Sequence, residues 1–324
     1  MKHIVAQGPK TSIIKDVPNV KPTDNQVLIK IKYVGVCMSE HDDWATAAEG
    51  TAFGHEPLGQ IIEVGKNITD YAVGDMVSGL WGSSLPGGGG MVEYAVADPS
   101  TDVVVKLPAD SPVRLEDLVL EPLACLMSAI SKVELSMPGT TIAVVGCGYM
   151  GCGAISLLKL RGAKVVAIDI RPECLEDAKT YGADQVYLAD QALANYKDQF
   201  DLVMEWGETD AALDLAINLT AQCGKLYIGA YHTGSHRTVD MQQLNVKAIQ
   251  MLSVHPREKE LSRQGAHLAA QLLLDGSWNY KNLPVKIYPR DQFDQAQGEL
   301  RSKYGKYMKA LIDMEAETGA PYVM

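Results

Sequence analysis

Residues 144–151 read VVGCGYMG, an apolar run that ends in glycines at positions 146, 148 and 151. The spacing G-x-G-x-x-G uses each glycine for a different reason. Gly146 permits a tight turn, Gly148 lets the backbone come close to a pyrophosphate, and Gly151 lets the following helix lie against the strand. That helix opens at Tyr149 and Met150, and it aims its first N–H groups and the positive end of its dipole at phosphate oxygens. The next apolar run, KVVAIDI at 164–170, ends in Asp169, about where a carboxylate accepts the hydroxyls of an adenosine ribose. Asp169 repels a 2′-phosphate and so favours NAD over NADP, a preference that the nearby Arg171 works against. Glycine spacing alone is a weak signal. With strand, turn, helix, strand and acid in register, it marks a dinucleotide-binding unit. Cys147 and Cys152, in the same turn region, read as small packing residues, since a reactive thiol needs a depressed pKa.

Beyond the turn, helix-like and strand-like segments keep alternating. PECLEDAKTYG (172–182), DQVYLAD (184–190), FDLVMEW (200–206), ETDAALDLAINLTAQ (208–222) and KLYIGAY (225–231) follow in turn. Such alternation implies βαβ units and a parallel sheet. Before the turn the pattern differs. QVLIKIKYV (26–34), QIIEV (60–64), MVSGL (76–80), VEYAVA (92–97) and DVVVKL (102–107) are short apolar or alternating runs bounded by Gly, Pro and Asp. They predict a β-rich barrel or sandwich. After about residue 257 come a helix, GAHLAAQLLLDG (265–276), the run LPVKIYP (283–289) and an amphipathic terminal segment.

The 324 residues suffice for two domains, each with its own core. A formal net charge of −11 argues against nucleic acid and anionic membrane as partners, because both call for a basic surface. The six cysteines have no short repeated spacing, so neither a disulfide framework nor a four-cysteine zinc module is predicted. MKHIVAQGPK lacks an apolar leader, and no apolar run reaches the roughly 18 residues of a membrane span. A cytoplasmic enzyme is the expectation.

A second constellation lies in the β-rich part. FGHEPLG (53–59) places His55 and Glu56 between glycines, and its spacing is not the H-E-x-x-H of a helical zinc protease. Together with Cys37, from YVGVCMSEHDDW (33–44), these residues supply thiolate, imidazole and carboxylate, the donor mix of a catalytic zinc with one position open. Glu121, in LEPLACLMSAI (120–130), is a further oxygen donor that binds the ion directly or holds its water. The plain alternative is a turn histidine, a buried cysteine and solvated carboxylates. Glu40-His41-Asp42-Asp43 reads partly as a solvated loop face. Trp44 and Trp81 are candidates for a pocket wall or for the core, and His232, His236 and His267 for surface or satisfied positions. His255 and Arg257, in SVHPRE, are candidates for the nicotinamide side or the cleft.

With VGVCMSE, GHEPLGQIIEVG, VGDMV (73–77), LEPLAC, the glycine turn and its acid in this order, the chain resembles the zinc-dependent medium-chain dehydrogenase/reductase superfamily. It is most similar to the sorbitol (polyol) dehydrogenase branch, over essentially its whole length. The resemblance implies an α/β plus β-rich fold: a GroES-like catalytic domain, 1–124 and 258–324, with a Rossmann domain of doubly wound parallel sheet inserted at 125–257. It implies Cys37, His55 and Glu56 near zinc, and Glu121 at the position typical of the polyol branch. Two departures stand out. The stretch LWGSSLPGGGGMVEY (80–94) is short and free of cysteine where relatives carry a second, structural zinc, so one catalytic ion per chain is expected and a more open cleft. Where many alcohol-active members have a histidine that ends a proton relay, this chain has Asp42, with His41 just before it.

The reading is reversible hydride transfer between NAD and a secondary alcohol (a polyol, sugar or cyclitol), with Ser39 accepting the hydroxyl proton. Ser39, Glu56 and Glu121 are the expected catalytic set. The expected partners are a small alcohol or ketone and further copies of the chain, as a dimer or tetramer. Two rivals are a zinc-free, NADPH-dependent quinone or enone reductase of the same superfamily and a non-catalytic NAD-binding sensor. The Cys37, His55 and Glu56 set weighs against both, and the acid at Asp169 against the first.

Overall fold

A computed structural model gives the fold and describes residues 1–81, 90–234, 236–302 and 306–324. The expectation of a shortened lobe and open cleft at 80–94 falls largely outside the described residues. Among the described residues, no helix is long and apolar enough to cross a membrane.

The chain forms two compact units. One comprises Met1–Ala124, Ala266–Asp275 and Lys281–Met324; the other comprises Cys125–Gly265 and Gly276–Tyr280. Residues 258–265 and 276–280 therefore group with the second unit, while 266–275 and 281–324 group with the first.

In chain order the first unit holds strands β1 (Lys2–Gly8), β2 (Thr11–Asp16) and β3 (Val27–Val36), helix α1 (His41–Thr46), then β4 (Glu56–Val64), β5 (Met76–Leu80), β6 (Tyr94–Ala97) and β7 (Val103–Leu107). Helix α2 (Leu120–Ser131) follows. The second unit has β8 (Thr141–Val145), α3 (Tyr149–Leu160), β9 (Lys164–Asp169), β10 (Gln185–Leu188), β11 (Phe200–Glu205), β12 (Thr220–Ile228) and β13 (Gln250–Ser253). The chain then supplies β14 (Val285–Pro289), β15 (Lys309–Asp313) and β16 (Tyr322–Val323) to the first unit.

In the first unit the sheet runs β16-β14-β15-β3-β4-β5-β7, with β6 also paired to β3. Strand β3 is the organiser, antiparallel to β4, β6 and β15. Its apolar residues Val27, Ile29, Ile31, Val34 and Val36 enter a core with Ile4, Phe53, Ile61, Val77 and Ile312. Trp44 and Trp81 belong to this core. The antiparallel β3–β4 pairing sets Gly35 opposite Glu56, so the chain leaving β3 at Cys37 meets the chain entering β4 from His55. The terminal segment, read from sequence only as amphipathic, adds β15 with Leu311 opposite Gly35.

In the second unit the order is β10-β9-β8-β11-β12-β13, parallel throughout. Its central strands are apolar on both faces, as expected when helices cover each side. The order reverses direction at β8, and ligands of such sheets bind outside the carboxyl ends of the strands at that point.

Candidate functional site

The ends of β3 and β4 bring three of the four metal-ligand candidates together. Donor atoms of Cys37, His55 and Glu56 all lie within 4.8 Å of one another. Glu121, in the first turn of α2, is outside this group, although its charge reaches Lys309. Thiolate, imidazole and carboxylate so close together are the donors that zinc takes.

Glu56 is fully buried and reaches across Gly35, where any β-carbon would collide with its Oε2. Gly35 is needed for this close approach. Lys309 Nζ lies 2.7 Å from Glu56 Oε1, in hydrogen-bonding geometry, and 2.5 Å from Oε2. Oε2 is an ion-pair neighbour of that ammonium and, among the described residues, has no hydrogen bond of good geometry despite its burial. A buried carboxylate beside a thiol and an imidazole is the kind of donor set that a metal cation takes, with Lys309 balancing its charge meanwhile. Burial alone would lower the pKa of Lys309, but Glu56, then Cys37 and Glu121, hold it above its ordinary value.

His55 is oriented by Glu40, whose Oε1 lies 3.1 Å from Nδ1 and accepts the Gly54 N–H at 2.7 Å. Burial opposes a proton on His55, yet hydrogen bonds and charge from Cys37 and Glu40 outweigh it and raise the pKa. Bound metal would instead take Cys37 as thiolate and His55 as neutral imidazole. Glu40 thus departs from the solvated face expected of its loop, whereas Asp43 remains exposed. Ser39 donates its hydroxyl to Cys37 Sγ at 3.3 Å. His41 lies 3.6 Å from Asp42, which also meets Arg301 at 3.4 Å. Trp44 donates to Asp294 at 2.7 Å from within the core.

The second unit carries the glycine turn. Gly146 has φ +91°, and a β-carbon there would strike the backbone of Trp206 and Gly207. A β-carbon on Gly151 would strike the carbonyl of Gly146, so its absence lets α3 close on the turn. At Gly148 the space is open, as the approach of a pyrophosphate requires. The N-terminus of α3 has neither a side-chain cap nor an acid in its first turn. Tyr149 and Met150 stand in that turn, and the Tyr149 carbonyl accepts the Tyr280 hydroxyl. These features fit a dinucleotide.

Asp169 ends β9 almost fully buried. It accepts the Cys147 N–H at 2.7 Å and takes Arg171 in a two-pronged pair at 2.8 and 2.9 Å. Arg171 therefore lies on the very carboxylate assigned to the ribose. Burial pushes the Cys147 and Cys152 thiols well up, and Cys174 up to about 12, which makes them packing groups. His232 is satisfied by the buried Glu205, at 2.9 Å.

Sequence reasoning missed Glu40, Gly35 and Lys309. A lone lysine in the otherwise apolar run YMKALI (307–312) was the available signal for the last.

The Alcohol dehydrogenase GroES-like domain family matches residues 23–109, and the Zinc-binding dehydrogenase family matches residues 150–270. Two alcohol dehydrogenases of Geobacillus stearothermophilus are 32% and 30% identical, over 56% and 67% of this chain and 62% and 70% of their own lengths. A probable D-xylulose reductase A of Arthroderma otae is 25% identical over 95% of this chain and 96% of its own. The crystal structure of L-idonate 5-dehydrogenase from Escherichia coli superposes with a TM-score of 0.79, at 20% identity, over 96% of this chain and 97% of that one, a likeness of fold.

Proposed function

We propose a function on one established premise: the chain belongs to the zinc-dependent medium-chain dehydrogenase/reductase superfamily, in its polyol dehydrogenase branch. We read its reaction as reversible hydride transfer between NAD and a secondary alcohol of the polyol, sugar or cyclitol class. The observation that carries this reading is the Cys37, His55 and Glu56 donor group, whose ligand atoms all lie within 4.8 Å of one another. D-xylulose and L-idonate, in the names of relatives, support a polyol-like substrate.

Cys37, His55 and Glu56 would hold one zinc per chain, with Glu121 as a further carboxylate of the proposed site, and the ion would supply Lewis-acid polarisation of the alcohol. The chain's residues do the rest. Glu40 fixes the imidazole of His55, and Lys309 fixes the carboxylate of Glu56. With NAD bound, the carbinol C–H would break and its hydride would pass to the nicotinamide, while the Ser39 hydroxyl would take the alcohol proton as it releases its own toward solvent. Once Arg171 swings off it, Asp169 would accept ribose hydroxyls and so favour NAD, and the first turn of α3 offers its N–H groups to the pyrophosphate. Strand β13, exposed along its whole length at the sheet edge, supports a homo-oligomer.

The test is NADH formation by zinc-loaded protein with a panel of polyols, sugars and cyclitols. Cys37→Ser is expected to lose at least about a thousandfold in rate, equivalent to the several kcal/mol of a Lewis acid, with NADH binding unchanged. Wild-type turnover by Cys37→Ser would remove zinc from the mechanism.

A further inference from the structure

The chain has 40 acidic and 29 basic residues, yet one rim of its cofactor sheet gathers two basic side chains, Lys132 and Arg257. Just past the end of β12, Tyr231 meets His255, just past the end of β13, with ring centroids 5.0 Å apart. The two strands are paired in register up to that point, Ile228 against Ser253. The guanidinium of Arg257 lies 5.7 Å from the centre of the Tyr231 ring. Lys132, just after α2, donates to the His255 carbonyl at 3.4 Å. Burial, then Arg257 and Lys132, lower the pKa of His255, and no carboxylate counteracts them there. Among the described residues, neither Lys132 nor Arg257 forms an ion pair. Tyr231 is 50% exposed, so the cluster is open to solvent.

Sheet order says which end of a dinucleotide this rim serves. Asp169, for the adenosine, ends β9 on one side of β8, and the glycine turn follows β8 itself. Strands β11, β12 and β13 lie on the other side. A dinucleotide crossing the switch point therefore puts its nicotinamide toward the ends of β11 and β12, far from the ribose that carries a 2′-phosphate in NADP.

We infer that Arg257 and Lys132, with Tyr231 and His255, form an anion-recognition site at the nicotinamide end of the sheet, so that the alcohol oxidised here carries a carboxylate or a phosphate. The inference rests on the hydride-transfer reading above. A guanidinium offers two parallel N–H groups that match a carboxylate or phosphate edge, and the Tyr231 face holds it in place. Lys132 adds a point charge.

The test titrates zinc-loaded, NADH-bound protein with gluconate and with inorganic phosphate by calorimetry. The proteins are wild type, Arg257→Gln and Arg257→Gln/Lys132→Gln. The wild type is expected to bind at least one of the two anions, and the tighter one identifies the group as carboxylate or phosphate. Arg257→Gln should weaken that binding at least tenfold and the double variant further, with NADH affinity and melting temperature unchanged. Equal binding by wild type and variants, or no binding of either anion by wild type, overturns the inference. So does an equal loss of NADH affinity, which would assign Arg257 to the cofactor. NAD reduction with glucitol, gluconate and glucitol 6-phosphate separates the two ideas. Preference for an anionic member supports the site, and oxidation of glucitol with neither anion preferred removes this inference alone. No oxidation of any alcohol in the wider panel removes the reading beneath it.

Discussion

The two candidate sites are assembled in opposite ways. The cofactor turn comes from one continuous stretch, 144–169, in which strand, glycines, helix and acid follow each other directly. The metal group draws on positions 37, 40, 55 and 56 and on Lys309, which lies 253 positions from its partner Glu56. The first depends on glycine sterics and helix polarity, which act within a few residues. The second depends on sheet register: β4 and β15 flank β3, and Gly35 between them leaves room for a carboxylate to cross. A local site can be read from spacing. A site made by register needs the fold.

Three changes would break or sharpen this contrast. Lys309→Ala leaves Glu56 as an uncompensated buried charge, and stability should fall by about 3–5 kcal/mol in urea titrations of the metal-free protein. Lys309→Met combined with Glu56→Leu should recover most of that loss. If Lys309→Ala costs under about 1 kcal/mol, the long-range pair does not hold the site. At the cofactor turn the expected effect is smaller. Asp169→Asn should reduce the preference for NAD over NADP by about tenfold, or about 1.4 kcal/mol, read from the ratio of kcat/KM values. An unchanged ratio would take the ribose away from Asp169.

The smallest effect tests burial away from either site. His3, on β1, is buried with its Nε2 unpaired among the described residues, and burial lowers its pKa from the ordinary 6.5. Since the folded value lies below the unfolded one, the unfolded chain binds the extra proton. This part of the stability is therefore present above about pH 6.5 and declines as the pH drops toward the lowered value. His3→Gln should show a shallower fall in melting temperature than wild type between neutral and mildly acid pH. An equal or steeper fall in the variant contradicts the burial account.

Much of the architecture was legible because its signals were periodic or local. The alternation of apolar runs and helices pointed to a parallel sheet, and that sheet runs β10-β9-β8-β11-β12-β13. The short runs before residue 124 pointed to β structure, and they became the sheet around β3. Cys37, His55 and Glu56 were recognisable from donor type and motif context, and they stand together. Glu40 was harder to read, since an acid in the run EHDD looks solvated until Gly54 and His55 fold onto it. Glu121 looked like a ligand from its motif, and its carboxylate stands outside the close group of Cys37, His55 and Glu56. Arg171 was visible as a complication beside Asp169, but only side-chain geometry reveals a two-pronged pair.

The central claim is that register brings Cys37, His55 and Glu56 together to hold one catalytic metal ion. Elemental analysis of gently purified protein, repeated on His55→Ala, tests this most directly. The account predicts about one zinc per chain in the wild type and a large loss in the variant. No zinc in the wild type even after zinc is added back, or equal zinc in both proteins, would contradict it.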